Sequence, residues 1–394
     1  MLSQRLKQLR LARGLSLRAL ADEMGGLVTK QALSKYELGQ AQPSAPVLGR
    51  LAAALGVKAA MLFGEPPANV RFLAYRKKSR LSKAEQERIE SVVAQALEDR
   101  VRLQDLVELS DGWDGASVPV KALAVSTLEE AEEAASTIRE RWNLGTDPIG
   151  SVVDTLEENF VHVIALDTDQ QFDGLSAVAE RDGDVAAAAV ITRLGVPGGR
   201  ERLNLTHELG HLVLTVADTV DEEGAAFRFG AAFLAPAETF VREVGRRRIK
   251  VTLNELLALK ERYGMSIQAL LRRMRDLDVI KESYYAEWCR EISRRGWRKQ
   301  EPFELRREEP RWLRQQASRA YAEGLITQDV LIRLLGSDGE GVLTSPSVMD
   351  PRALAELPLA ERQKVLGSQA EAMVSHYEQD PGWRELEGGD LIVE

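Results

Sequence analysis

Residues 205–214 read LTHELGHLVL and contain two of the four histidines in the chain. Apolar residues recur here with the period of a helix, and Gly210 is the one residue of the stretch that disfavours helix. The recurring apolar positions are Leu203, Leu205, Leu209, Leu212 and Leu214. The pattern therefore predicts a buried helix.

The two histidines in this stretch are spaced for metal binding. Residues four apart project from one face of a helix, so His207 and His211 can direct imidazole nitrogens at the same cation. Together with Glu208 they match H-E-x-x-H, in which the histidines hold zinc and the glutamate takes a proton from water. The alternative is a pair of core histidines beside a chance glutamate. We therefore treat His207 and His211 as candidate metal ligands and Glu208 as the candidate catalytic base.

The composition suits a globular protein with several domains. The chain has 394 residues, of which 44% are hydrophobic and 29% charged. A single cysteine, Cys289, excludes an intramolecular disulfide framework and a cysteine-rich zinc site, and it suits a reducing compartment. No apolar run approaches the ~20 residues that cross a bilayer, and the first residues, MLSQRLKQLR, lack the apolar core of a signal peptide. We therefore expect a cytoplasmic protein without membrane contact.

Charge is distributed unevenly along the chain. The net charge is −9, yet residues 1–58 hold nine Lys/Arg against three Asp/Glu and so carry +6, which leaves −15 for the rest. Such asymmetry indicates that nucleic acid is a partner at the N-terminal end only.

Residues 4–63 contain four short helical patterns and a last turn, separated by glycines. The predicted elements are Gln4–Arg13, Ser16–Met24, Thr29–Leu38, Pro46–Leu55 and Ala59–Phe63. The segment SLRALADEMGGLVTKQALSKYELG resembles the helix-turn-helix of the phage-repressor (XRE) family, and Ser16 and Thr29 stand where the N-caps of its scaffold and recognition helices belong. The resemblance implies a five-helix DNA-binding domain at residues 1–63.

The same resemblance assigns DNA contacts to the helix that begins at Thr29, which would enter the major groove of a double-stranded operator. The predicted contact residues are Thr29, Lys30, Gln31, Ser34 and Lys35. Gln is suited to adenine, and Lys to guanine or phosphate. The alternative is a helix-turn-helix kept only for protein contact. The pair Gly25 and Gly26 lengthens a turn in which the family usually has one glycine, and this leaves the docking angle open.

Residues 64–120 are predicted to form a linker and a long helix. The stretch GEPPANV (64–70) has the Pro and Gly content of a linker. Lys83–Leu109 reads as one amphipathic helix, which would serve either as a homodimer contact or as an interdomain spacer.

A further helix, Ala122–Trp142, is predicted after the turn sequence SDGWDG (110–115). Two short strands, FVHVIAL (160–166) and VAAAAVIT (185–192), follow it and precede the histidine-bearing helix. Helices combined with a strand pair predict an α+β domain.

A zinc ion held by two histidines needs a further protein ligand. His162 lies in a predicted strand and His376 in a distant acidic tail, so both are poor candidates. The stretch VDEEGAAFRFGAAFLAP (220–236) reads as a helix whose apolar stripe can pack on the histidine-bearing helix.

This combination resembles the ImmA/IrrE family of metallopeptidase-like bacterial regulators, in which HExxH is followed by a helix of the form E-x-x-A-x-x-F-A-x-x-x-L-x-P. The matching residues are Glu223, Ala226, Phe229, Gly230, Leu234 and Pro236. The resemblance implies that Glu223 is the third ligand, with Glu222 as the register alternative. Gly230 replaces the usual alanine, and Phe227 stands where the family often has a polar residue, so both should affect packing more than ligation.

The likeness extends from FDGLSA (172–177) to GWRKQEP (296–302) and covers about residues 65–335. It implies a metallopeptidase domain at residues 121–245 and a helical module at residues 246–336. The residues that could polarise a substrate carbonyl are Tyr263, Arg193, Arg200 and Arg202, and the sequence does not choose among them.

Residues 337–394 are predicted to form a flexible linker (337–350) and an acidic tail with one helix, Leu359–Tyr377. The tail resembles the toxin-binding tails of type II antitoxins. The physical reason for such a tail is that an unfolded acidic segment can become ordered on a basic partner. Its expected partner contact is Trp383, since a buried indole contributes most per side chain. The alternative is a solvated C-terminus.

These features predict a mainly α protein with a small α+β metallopeptidase domain and an N-terminal five-helix helix-turn-helix domain. The leading hypothesis is a DNA-binding transcriptional regulator with a zinc-dependent endopeptidase domain that cleaves a partner repressor, or itself, on a stress or mobile-element signal. Two histidines and a carboxylate suit Mn²⁺ as well as Zn²⁺. The rival hypothesis is an antitoxin or sensor that uses the protease fold for binding and its tail to neutralise a toxin.

Overall fold

The structure is a computed structural model that describes residues 2–75, 81–111, 120–172, 174–336, 339, 358–359, 361–364 and 366–367. The chain divides into two compact units, Met1–Leu325 and Ile326–Glu394. All of the strands found in the described residues belong to the first unit.

Four helices and a 3₁₀ turn form a small bundle at the N-terminus. They are α1 (Leu2–Ala12), α2 (Leu17–Glu23), α3 (Lys30–Glu37), α4 (Ala45–Ala54) and the 3₁₀ turn Ala59–Leu62. Both predicted N-caps are present, because Ser16 Oγ accepts from Ala19 N at 3.0 Å and Thr29 Oγ1 accepts from Ala32 N at 3.2 Å. The apolar faces close into a core of their own in which Leu33 of α3 is fully buried. The predicted helical segments are therefore confirmed.

A 29-residue helix, α5 (Lys83–Asp111), follows the bundle. Arg5 of α1 forms an ion pair with Glu98 of α5 at 2.6 Å, and both side chains are buried. On another face of α5, Ile89, Val93 and Leu97 enter a hydrophobic core that they share with the β-sheet. The helix therefore packs against the N-terminal bundle and against the sheet.

Six strands form two sheets in the described residues. They are β1 (Asn69–Tyr75), β2 (Leu123–Val125), β3 (Val161–Leu166), β4 (Gly174–Arg181), β5 (Asp184–Arg193) and β6 (Leu214–Val216). The larger sheet has the order β1-β4-β5-β3, with β3 and β5 parallel and the other two pairings antiparallel. Strands β2 and β6 pair in parallel as a second, small sheet.

Four of these strands depart from the prediction. One of them is β6, which was not predicted and begins at Leu214, the last residue of the predicted helical stretch. The predicted helix Ala122–Trp142 is wrong in its first turn, since β2 occupies that segment and the helix begins only after Thr127, which caps it by accepting from Glu130 N at 3.2 Å. Strand β1 begins inside the predicted linker 64–70, at Asn69. Strand β4 was not predicted, and it separates the two predicted strands along the chain while pairing with β5.

Ten further helices have both ends within the described residues. They are α6 (Leu128–Arg141), α7 (Val152–Glu158), α8 (Gly198–Val213), α9 (Glu222–Leu234), α10 (Ala237–Val244), α11 (Leu253–Tyr263), α12 (Ile267–Asp276), α13 (Glu282–Arg294), α14 (Trp312–Ala322) and, in the second unit, α15 (Gln328–Leu335). In the segment predicted as a helical module, α11 ends at Tyr263, Gly264 follows in the left-handed conformation (φ 64°), and α12 begins at Ile267. Arg273 of α12 is fully buried and pairs with Glu132 of α6 at 2.6 Å, which ties the later helices to the earlier ones.

The larger sheet is a layer between α5 and α8. Alternate residues of each strand point to opposite faces, and those on one face, such as Val190, join the core around α8 and α9. Those on the other face, such as Ile191, join the core beneath α5. The histidine-bearing helix α8 therefore packs on one face of the larger sheet.

The fold-class prediction of a mainly α protein with a small α+β part is confirmed. The boundaries proposed for the individual domains stay a prediction. The predicted linker 337–350 and tail helix Leu359–Tyr377 lie largely outside the described residues, and Trp383 lies outside them altogether. None of the helices in the described part of the chain has the length and apolarity needed to cross a bilayer.

Candidate metal centre and DNA-binding face

The helix α8 carries both histidines on one buried face. Pro197 stands at its N-cap, and all but three of its residues are buried, so tertiary packing holds a helix that contains Gly210. His207 and His211 are 0% and 3% exposed, and their Nε2 atoms face each other at 3.1 Å. The predicted buried helix and the shared direction of the two imidazoles are both present.

The helix α9 crosses α8 at very short range. A Cβ on Gly210 would lie 3.1 Å from Ala226 Cα, and a Cβ on Gly230 would lie 2.9 Å from His207 N. An alanine at Gly230, as the family pattern has, would therefore press on the backbone of the first histidine. The ring of Phe227 contacts the ring of His207 at a tilt of 42°, with ring centroids 4.1 Å apart. These contacts explain in packing terms the two departures from the family pattern.

The N-terminus of α9 brings Glu223 to the histidines. Asp221 caps the helix by accepting from Gly224 N at 3.2 Å, so Glu222 and Glu223 both stand in its first turn. Glu223 Oε1 lies 3.4 Å from His211 Nε2, and Glu223 Oε2 lies 3.6 Å from His207 Nε2. Glu222 Oε1 lies instead 3.6 Å from His211 Nδ1.

The donor set fits a divalent metal ion. Ligand atoms of His207, His211 and Glu223 all lie within 4.8 Å of one another. Donors held ~2.0–2.2 Å from a tetrahedral zinc ion stand ~3.3 Å apart. The two Nε2 atoms lie 3.1 Å apart, one oxygen of Glu223 (Oε1) lies 3.4 Å from His211 Nε2, and its other oxygen (Oε2) lies 3.6 Å from His207 Nε2. Two imidazoles and one carboxylate also leave a position open for water, which a catalytic site requires.

The protonation of His211 depends on the acidic groups around it. Burial disfavours its charged form, but the hydrogen bond with Glu223 and the charges of Glu208, Glu223 and Glu222 outweigh burial and raise the pKa of His211 above its ordinary value. An environment this negative favours any cation in the cluster, whether a proton or a metal ion.

Glu208 is 3% exposed and is backed by the sheet. Its carboxylate lies directly against Gly174, the first residue of β4, so that a Cβ there would overlap Glu208 Oε1 and come within 2.9 Å of Cδ. Gly174 therefore leaves the space that this carboxylate occupies. The prediction missed this role, although Gly174 lies in the FDGLSA stretch that carries part of the family resemblance.

The residues considered for polarising a carbonyl are engaged elsewhere. Tyr263 donates its hydroxyl to Glu243 Oε2 at 2.8 Å, and burial and that hydrogen bond raise the pKa of Tyr263 to about 12. Arg202 donates to Ile149 O, Gly150 O and Glu308, and Arg200 donates to Arg298 O at 2.6 Å. Arg193 donates to Leu194 O at 3.2 Å.

Of the two remaining histidines, His162 is among the described residues, and it does not join the cluster. His162 is buried in β3, with its Nε2 3.4 Å from Gln104 Oε1 and its ring 4.4 Å from that of Trp312. Burial, helped by the charge of Arg100, holds the pKa of His162 well below its ordinary value. It is a neutral residue of the core. His376 lies outside the described residues.

The helix α3 presents a polar face to solvent in the N-terminal bundle. Thr29, Lys30, Gln31 and Lys35 are exposed, and Ser34 is partly exposed. Ala32, Leu33 and Tyr36 pack into the bundle core on the opposite face. Gly25 and Gly26 both have positive φ, 70° and 72°, in the turn between α2 and α3, so each glycine has a conformational reason to be there.

Comparisons with known proteins identify two domains. A family model described as a helix-turn-helix matches residues 6–62, and a model described as an IrrE N-terminal-like domain matches residues 195–275. A comparison with curated proteins finds no match to the chain. The second match extends from α8 through α11 and includes all of α12 but its last residue, and with them the histidine and glutamate cluster. The chain therefore joins an XRE-type helix-turn-helix domain to an IrrE-like domain.

Proposed function

We propose that this protein is a DNA-binding transcriptional regulator whose metal-dependent endopeptidase domain cleaves a regulatory protein. The observation that carries the proposal is the close approach of the Nε2 atoms of His207 and His211 and both carboxylate oxygens of Glu223, next to the buried Glu208. The exposed polar face of α3 supports the regulatory half of the proposal.

His207, His211 and Glu223 would hold the ion, and Zn²⁺ suits them best, although Mn²⁺ accepts the same donors. When bound, such an ion supplies Lewis acidity toward water and toward the carbonyl of a peptide. Glu222 is not needed as a ligand, because its carboxylate approaches Nδ1 of His211 and not Nε2.

Glu208 would act as the general base and then as the general acid. Its carboxylate takes a proton from water as the water oxygen bonds to the carbonyl carbon of the scissile peptide. It then gives that proton to the amide nitrogen as the carbon–nitrogen bond breaks. Burial against Gly174 restricts where this carboxylate can point, which favours the short proton transfers that both steps require.

The substrate would be a partner repressor or the chain itself, cleaved on a stress or mobile-element signal. Cleavage of a repressor relieves repression, and this outcome explains why a peptidase would be joined to a DNA-binding domain. The operator partner is double-stranded DNA that α3 would read in the major groove.

The purified protein should contain about one divalent ion per chain. His207→Ala or His211→Ala should abolish the metal, and Glu223→Ala should weaken its binding. Glu208→Gln should keep the metal but lose cleavage of candidate repressors, because this carboxylate moves a proton and does not ligate. Metal content is measured by elemental analysis, and cleavage by mass spectrometry of the products.

The isosteric Glu208→Gln variant is the control that separates catalysis from folding and metal binding. A double variant, His207→Ala with His211→Ala, that still carries one ion per chain would disprove the metal site. The endopeptidase would be disproved if the metal-loaded wild-type protein cleaved neither a candidate repressor nor itself, and if the Glu208→Gln variant gave the same result.

A further inference from the structure

Two consecutive glutamates in the first turn of α9 approach different atoms of the same histidine. Glu223 Oε1 lies 3.4 Å from His211 Nε2, the nitrogen that faces His207. Glu222 Oε1 lies 3.6 Å from His211 Nδ1, the nitrogen on the other side of the ring. Successive residues of a helix point about 100° apart, so one carboxylate can reach each nitrogen of this imidazole.

The Nδ1 atom of His211 needs an acceptor. It is buried, and no hydrogen bond to it is formed among the described residues. When Nε2 of a histidine is a metal ligand, Nδ1 carries the ring proton, and that proton is almost always donated to a carboxylate, carbonyl or water. Glu222 is 56% exposed and therefore has room to shorten the 3.6 Å approach into a hydrogen bond.

Lys121 is fixed on the other side of Glu222. Its Nζ lies 3.9 Å from Glu222 Oε1. Its backbone is held at the end of α8, where its N–H donates to Leu212 O at 2.8 Å and its carbonyl accepts from Thr215 Oγ1 at 2.9 Å. Lys121 also has a positive φ of 50°, a conformation that costs energy in a residue other than glycine. These contacts place the backbone of Lys121 against the last turn of α8, the turn that contains His211.

We propose that Glu222 is a positioning residue that receives the Nδ1 proton of His211, and that Lys121 holds the Glu222 carboxylate in place for this. In this arrangement the ammonium of Lys121 contacts the carboxylate of Glu222, and that carboxylate accepts the Nδ1 proton of His211. The chain of contacts fixes the tautomer and the orientation of the imidazole, both of which Nε2 needs to act as a ligand. The inference rests on the proposed metal site, and it assigns to Glu222 a role other than ligation.

The test measures the affinity of the full-length protein for Zn²⁺ by competition with a chromogenic chelator. Glu222→Ala should lower the affinity 10- to 100-fold, the loss usual for an outer carboxylate, while the ratio stays at about one ion per chain. Glu222→Gln, which keeps an acceptor oxygen without the charge, should fall between wild type and alanine. The visible spectrum of the Co²⁺-loaded protein should shift in Glu222→Ala, because the orientation of a ligand changes.

Lys121 is tested through its dependence on Glu222. Lys121→Met should lower Zn²⁺ affinity by a smaller factor, Lys121→Arg should restore it, and Lys121→Met should add nothing in a Glu222→Ala background, because the two residues act through one contact. Glu238→Ala is the matched control, a glutamate in the first turn of the neighbouring α10 that is 80% exposed, and it should leave the affinity unchanged.

Three outcomes would overturn the inference. Unchanged Zn²⁺ affinity in both Glu222→Ala and Glu222→Gln would show that His211 needs no such acceptor. Loss of the ion in Glu222→Ala together with its retention in Glu223→Ala would make Glu222 the ligand. A wild-type protein that binds no Zn²⁺ would remove the proposed metal site itself, a failure distinct from the first two.

Discussion

At Gly174 the backbone of β4 runs directly against the carboxylate of Glu208, and no side chain stands between them. The atoms that a Cβ would strike belong to the end of a flexible side chain, so the protein can accommodate an alanine by moving Glu208 and without separating helix from sheet. The effect of such a substitution should therefore appear in catalysis more than in folding.

Gly174→Ala should keep about one divalent ion per chain and lose cleavage by roughly 100-fold, since a displacement of ~1 Å in a catalytic group has a cost of that size. The measurement is metal content beside the rate of repressor cleavage. Gly150→Ala is the control, because a Cβ there would meet nothing within 4 Å. Equal rates for Gly174→Ala and wild type would mean that Glu208 is not held by this contact.

At the scale of elements, α3 is the helix whose exposed face is proposed to read DNA. Its capped start at Thr29 and its buried Leu33 fix which residues point outward. Glutamine and lysine on that face have different chemistry toward DNA, because an amide can pair with a base edge and an ammonium neutralises phosphate.

Gln31→Ala should relax the base preference of the full chain at one position, by about 1–3 kcal/mol. Lys35→Ala should weaken binding to all sequences alike and reduce the slope of log affinity against log salt by about one. Selection from random duplexes followed by gel shifts at several salt concentrations measures both effects. Lys58→Ala, an exposed lysine outside α3, is the control, and binding without base preference at any salt concentration would favour protein contact as the role of the domain.

Elements with a strong local signal could be predicted from the sequence. The N-terminal helices carry capping residues and glycine turns, and α5 and α8 carry long apolar periods, so each signal lies within the segment itself. Strand β2 has three residues, too few for a period, and it exists because Leu123 pairs with Leu214 far along the chain. Strand β1 depends in the same way on β4, with Asn69 opposite Glu180.

The candidate site likewise combines features that are local in sequence with contacts between distant segments. The spacing of His207 and His211 on one helix is local, so the sequence contained it, and Glu223 came from the family pattern. The contact of Gly174 with Glu208 and the approach of Lys121 to Glu222 join segments that are distant in sequence. No periodicity or composition carries such contacts, and they require the folded chain.

At the scale of the whole molecule, the first unit contains a buried ion pair between the N-terminal bundle and α5. Arg5 lies 2.6 Å from Glu98, and Gln8 Nε2 donates to the same carboxylate at 2.8 Å. The bundle has its own hydrophobic core, so this contact serves its docking on α5 more than its folding. The neighbouring pair between Lys7 and Glu87 is exposed.

Glu98→Ala should release the bundle from α5 without unfolding it, because removing one partner of a buried pair costs about 3–5 kcal/mol. Hydrogen exchange should then accelerate in α1 and in the facing part of α5, and stay slow in the amides of α8. Lys7→Ala, which breaks the exposed pair worth at most about 1 kcal/mol, is the control. Unchanged exchange in α1 of Glu98→Ala would mean that apolar contacts alone hold the bundle in place.

Docking on α5 also means that the proposed DNA-binding face and the histidine and glutamate cluster belong to one compact unit. A repressor bound to a neighbouring DNA site would meet the cluster at an effective concentration set by the DNA between them, on the order of millimolar for a short span. The duplex turns once in about 10.5 base pairs, so the spacing between the two sites would decide on which face of the DNA that repressor stands. Cleavage of a DNA-bound substrate would then follow the helical phase of the promoter, and the arrangement of sites in the genome would select which repressor is destroyed.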